Sequence, residues 1–117
     1  MEFGFLMGAA LLSLVGALFH GVAGHRLYMG NINASNLEPL AKTLSLVSWH
    51  TFTIMLLVGA GTLACVAYNP DMKLMAYPII LTNAAGAVMF LGLGLGSHRQ
   101  LLTLPGLYLM GGTAMLA

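Results

Sequence analysis

His20 and His50 have the widest chemical range of any side chains in this sequence, and both sit inside apolar runs, FHGVAGHR and SWHTFTIMLL. An imidazole can ligate iron, copper or zinc, pass a proton, or hydrogen-bond a quinone headgroup. Two imidazoles at one depth on neighbouring helices could hold a haem iron axially, or share a metal ion with His98. His25 is the poorer partner for His20. A five-residue offset turns it about 140° around an α-helix, whereas facing pairs sit three or four residues apart. A plainer reading stands beside these. Ser13, Ser48, Thr51, Thr53 and Asn83 can satisfy a buried imidazole by hydrogen bonding, and the residues favour that reading. No cofactor is the first expectation, and haem b or a metal ion at His20 and His50 is the alternative.

Other reaction chemistries are excluded or weakened by what the chain lacks. Ser45 and Ser48 lie within about a turn of His50, but no carboxylate nearby could orient the ring for nucleophilic catalysis. The single cysteine, Cys65, makes neither an internal disulfide nor a thiolate-rich metal site. GLGLGS follows no strand, so it is not a dinucleotide loop. The scattered methionines read as adaptable packing. An enzymatic role is not expected.

The elements that must position these histidines are helices in lipid. Of 117 residues, 59% are hydrophobic and 6% charged, with a mean hydropathy of +0.91. A soluble domain carries about 25% charged residues. The net charge of +1 offers nothing to nucleic acid. Crossing a hydrocarbon core takes about 20 residues, and four segments are long enough: about 3–28, 41–68, 72–96 and 99–117. Their runs lack the period-two alternation of a β-barrel strand. Short connections at 69–71 and 97–99 predict an all-α membrane protein, four antiparallel transmembrane helices in one up-down bundle. Pro78 and Pro105 should interrupt the backbone ladder and kink their helices.

The first segment lacks a basic leader and carries Glu2 instead, so it is expected to be a retained helix. The fourth ends without a polar tail, as in a polypeptide that continues past Ala117. Arg26, Lys42 and Arg99, with Glu38, fall on one side, and Glu2, Asp71 and Lys73 on the other. Three Lys/Arg against one make the 30–40 loop cytoplasmic and put both termini outside. At 1.5 Å per residue, His20 and His50 then lie roughly 6–8 Å inward of the midplane.

Small residues recur at helical spacing. Ala9, Ser13, Gly16, Ala17, His20 and Gly24 form one stripe. His50, Thr53, Leu57, Ala60, Gly61 and Ala64 form a second, and Asn83, Gly86, Ala87, Phe90 and Gly94 a third. Such stripes let membrane helices approach closely, and Ser13, Thr53 and Asn83 are placed to bond between helices. Trp49, Tyr28, Tyr68 and Tyr77 are expected as boundary anchors.

The run His20-x-x-x-Gly24-His25-Arg26, then Pro39-Leu40, then Trp49-His50 resembles a set of uncharacterised small bacterial membrane proteins of four helices. The resemblance covers roughly residues 15 to 60. It implies a bacterial inner (cytoplasmic) membrane origin, brings no activity with it, and singles out His20 and His50. The leading expectation is a non-catalytic accessory or structural subunit, bounded by lipid and packed against other membrane-protein subunits. The alternative is a His-ligated haem b or metal protein for electron transfer toward quinone. A small carrier or channel is the weaker one, with Asn83 as its midplane polar group.

Overall fold

Long runs of Leu, Ala and Met favour helix, and helix dominates residues 2–117, which the computed structural model describes. Helix α1 (Glu2–Leu18) continues into a π-helical segment (Phe19–Met29) and a short α2 (Gly30–Ala34). After a turn comes α3 (Pro39–Tyr68). A 3₁₀ segment (Pro70–Met75) then leads into α4 (Ala76–Leu95), and a second (Arg99–Thr103) precedes α5 (Pro105–Leu116). No strand forms among the described residues. Three runs, Glu2–Ala34, Pro39–Tyr68 and Pro70–Leu95, are long and apolar enough to cross a membrane. Their surface is apolar too: Leu18, Leu27, Ile54, Val58, Leu81 and Val88 are all more than half exposed.

All four prolines stand in the first turn of a helical element; the interruption expected at Pro105 is present, as a break at Leu104, and Pro78 stands just after the 3₁₀ segment passes into α4. Pro39, Pro70 and Pro105 open their elements, and Pro78 is the third residue of α4. In a first turn the missing N–H has no partner to lose. The fourth segment is correspondingly not one helix. Leu104, ahead of Pro105, is extended with ψ 144°, as the residue before a proline tends to be. Five 3₁₀ residues at about 2.0 Å and twelve α residues at about 1.5 Å still give roughly 28 Å of rise.

Neighbouring segments meet at positions that rise along one and fall along the other. Phe3 packs on Tyr68, Ser13 bonds to Leu56, and His20 meets Trp49 and Thr53. Gly94 faces Leu102, Gly106 faces Phe90, and Gly86 faces Met110; Gly112 faces Leu12 and Gly8 faces Leu116. The densest seam joins α1 to α3, and α5 packs on both α1 and α4, whereas α3 and α4 touch only sparsely. Residue size accounts for the contrast. In the α1–α3 seam Ala9, Ser13, Gly59 and Ala60 let the backbones close up between larger buried side chains such as Leu56 and Leu63. Phe52, Met55, Leu56 and Ile79 face one another between α3 and α4, and a cleft remains there.

The stripe expected on the first helix is buried at Ala9, Ser13, Gly16 and Ala17. On α3 the buried face is instead Leu56, Gly59, Ala60, Leu63, Val66 and Ala67. Leu57 is 46% exposed and Gly61 has open space beside it. A one-residue offset turns a face by about 100°, and the larger side chains Leu56, Leu63 and Val66 share that face with Gly59 and Ala60.

Candidate functional site

The π-helical segment carries His20, Gly21, Gly24, His25 and Tyr28, and the adjoining part of α3 carries Trp49, His50, Phe52 and Thr53. Together they form a histidine–aromatic cluster. Trp49 is its centre. The indole lies over Gly24, with His20 stacked on it at 4.0 Å and 10° and Tyr28 stacked at 4.4 Å and 13°. Residues 20, 24 and 28 are four apart, so two rings and a bare backbone position form a slot for the indole. A Cβ at Gly24 would come within 2.6 Å of Trp49 Cζ2. Trp49 Nε1–H donates to the His20 carbonyl at 2.9 Å, which fixes the ring in the slot. Trp49 is therefore a wedge between helices and not simply the boundary anchor expected of it. The signal, ring-x-x-x-Gly-x-x-x-ring followed downstream by Trp, is present in the sequence.

His20 is satisfied within the protein. Its Nδ1 lies 2.9 Å from Thr53 Oγ1, and Phe52 meets the ring edge-on at 5.1 Å. The Thr53 hydroxyl also lies 3.5 Å from the Trp49 carbonyl, and which of His20 Nδ1 and Thr53 Oγ1 donates in their 2.9 Å bond follows the imidazole tautomer. Gly21 makes room for Thr53, whose Cγ2 would lie 2.9 Å from an added Cβ.

His50 does not pair with His20. Its Nε2 lies 2.9 Å from Nδ1 of His25, and the two ring centroids are 5.0 Å apart. His25 is not turned away as a five-residue offset in an α-helix would turn it, because residues 19–29 are π-helical. In a π-helix the backbone bond itself links i to i+5, so His20 and His25 fall one turn apart on nearly one side. Both can then face α3.

His98 is elsewhere. It is exposed beside Ser97, whose Oγ lies 3.1 Å from its Nδ1. Among the described residues no three His, Cys, Asp or Glu side chains form a group that could hold a metal ion, so the His20–His50–His98 set is not assembled. A haem held between His20 and His50 also finds no slot. His20 lies flat on Trp49, and the two helices are in direct contact through Trp49, Thr53 and Ser13.

Of the three polar residues expected between helices, two cross. Ser13 Oγ–H donates to the Leu56 carbonyl at 2.8 Å, and Thr53 meets His20. Asn83, although buried, sends its Nδ2–H to Ile79 O within its own helix at 2.9 Å. It lines the α3–α4 cleft, where Thr82 is the only other polar side chain. The cleft has about 40 Å³ of water-accessible space, enough for a few waters. Ser13→Ala is expected to cost about 0.6 kcal/mol, the average for a hydrogen bond between membrane helices, measured by unfolding in mixed detergent. A cost of several kcal/mol would mean that Ser13 does more than bridge the seam.

No family model, no curated protein and no solved structure matches this chain.

Proposed function

We propose that the chain is an integral protein of a bacterial inner membrane, a bundle of four antiparallel crossings that serves as a non-catalytic subunit of a larger membrane assembly. The distribution of charged residues supports a cytoplasmic 30–40 loop with both termini outside. The rise-and-fall register of the seams and the roughly 28 Å rise of the fourth segment support the fourth crossing.

One observation carries the subunit reading: the outer face of α4. Within its most apolar stretch 11% of residues are buried by the rest of the chain, against 33% in each of the other two long runs. Its exposed surface is also of two kinds. At about 100° per residue, Leu81, Val88, Leu91 and Leu95 cluster on one side, a surface suited to acyl chains. Thr82, Ala85, Met89 and Gly92 cluster on the adjacent side, all exposed, and Gly92 has open space beside it. Small residues gain nothing from lipid, but they let another helix come close.

Extraction in mild detergent is expected to release the protein with a stoichiometric membrane partner. The double variant Ala85→Leu/Gly92→Leu should come out alone, with unchanged helix content. A native protein that emerges as a lone monomer overturns the reading, as does a double variant that keeps its partner.

A further inference from the structure

We propose that His25 and His50 form a two-coordinate site for a soft monovalent cation, cuprous copper, held between the imidazoles in place of their shared hydrogen. The site is independent of whether the α4 face meets a partner.

The geometry is head-on. The centroid separation of 5.0 Å exceeds the nitrogen separation of 2.9 Å by about two ring radii, and the planes are tilted by 35°. The rings therefore meet edge to edge, with Nδ1 of His25 and Nε2 of His50 directed at each other. They are not stacked as His20 is on Trp49. Among the described residues neither ring has another hydrogen-bond partner. This pair is tied only to itself, while His20 is committed to Thr53.

Donor number and charge select the ion. Zinc sites take four ligands, or three and a water, and among the described residues no third His, Cys, Asp or Glu joins this pair. Two opposed nitrogens match an ion content with linear coordination. No acidic residue lies between Glu2 and Glu38, or between Glu38 and Asp71. A divalent ion would thus bring two uncompensated charges into a half-buried site, and a monovalent ion brings one. Metal–imidazole bonds of about 2 Å place opposed nitrogens roughly 4 Å apart, so the rings must separate by about 1 Å. Both are only half-buried, which leaves them room to do so.

Binding needs no redox step. The ring that donates the shared hydrogen carries its proton on the outer nitrogen instead. Both imidazoles then stay neutral and present lone pairs to the ion, and copper remains cuprous.

The test is titration of the purified full chain in mild detergent with Ag(I), a redox-inert stand-in, and anaerobically with Cu(I), each against a calibrated competing ligand. One ion per chain is expected. His25→Gln and His50→Gln, which keep polarity and size, should each lose more than the about 10–100-fold in affinity typical of removing a mere supporting residue. His20→Gln and His98→Gln should bind as the native protein does. The proposal is overturned by a native protein that binds neither ion, by Zn(II) binding more tightly than Ag(I), or by affinity that survives His50→Gln or depends on His98.

Discussion

Trp49→Ala is expected to destabilise the protein by about 2–4 kcal/mol. The figure is assembled from contacts. An indole N–H bond to a backbone carbonyl contributes about 1 kcal/mol, and each stacked ring pair about 0.5–1.5. Trp49 makes one such bond, to His20, and two such stacks, on His20 and Tyr28. In a soluble core the loss would be about 3–5 kcal/mol. Here lipid is as apolar as the core, so the transfer part of that cost is largely absent. Trp49→Phe keeps the stacking and drops the hydrogen bond, so it should lose about 1 kcal/mol. Reversible unfolding in mixed detergent distinguishes the three proteins. An alanine variant as stable as the phenylalanine variant would mean that the slot contributes nothing.

Gly24→Ala is expected to destabilise by up to about 2 kcal/mol, although alanine is the better helix former by about 1 kcal/mol. The opposing effect is steric. The new methyl would lie 2.6 Å from Trp49 Cζ2, against a rigid ring with neighbours stacked on it. Overpacking of this kind costs about 1–3 kcal/mol, and an indole that moved aside would forfeit the contacts counted above. Gly61→Ala is the matched control, because nothing lies within 4 Å of its added Cβ. It should be neutral or up to about 1 kcal/mol more stable. Gly86→Ala should fall between them: its clash is with the Met110 sulfur at 2.6 Å, on a flexible side chain that can swing away. If Gly24→Ala matched Gly61→Ala, the close approach of helix and indole would be refuted.

Much of the architecture was legible in the residues, and what escaped has one common cause. Helicity, the long apolar runs, the buried face at Ala9–Ala17 and the half-buried stripe Asn83–Gly94 follow from a period of 3.6. That same period misplaced the chemistry. Once residues 19–29 widen to a π-helix, a five-residue spacing becomes a shared side. His25 then takes the position opposite His50 that had been expected of His20. No local composition marks the widening: FHGVAGHRLYM holds no proline, and its glycines fit an α-helix as readily. The α3 face was displaced for a different reason. Small residues alone point to Ala60 and Gly61, but Ala60 is buried with Gly59, Leu63 and Val66 while Gly61 faces open space. Asn83 was placed correctly in the interior, yet its amide turns back to Ile79, an option any helical Asn has and spacing cannot reveal.

Trp49 is also the only tryptophan in the chain. Light absorbed at the red edge of the ultraviolet protein band is therefore absorbed, and re-emitted, at one place in the molecule: the slot between His20 and Tyr28. The emission of the whole protein is a local optical record of that seam, obtained without a dye or an introduced probe. An ion entering next door at His50 should change its intensity, and a helix docking on the far face of α4 should leave it as it was. The two proposals made for this protein can thus be told apart in one cuvette.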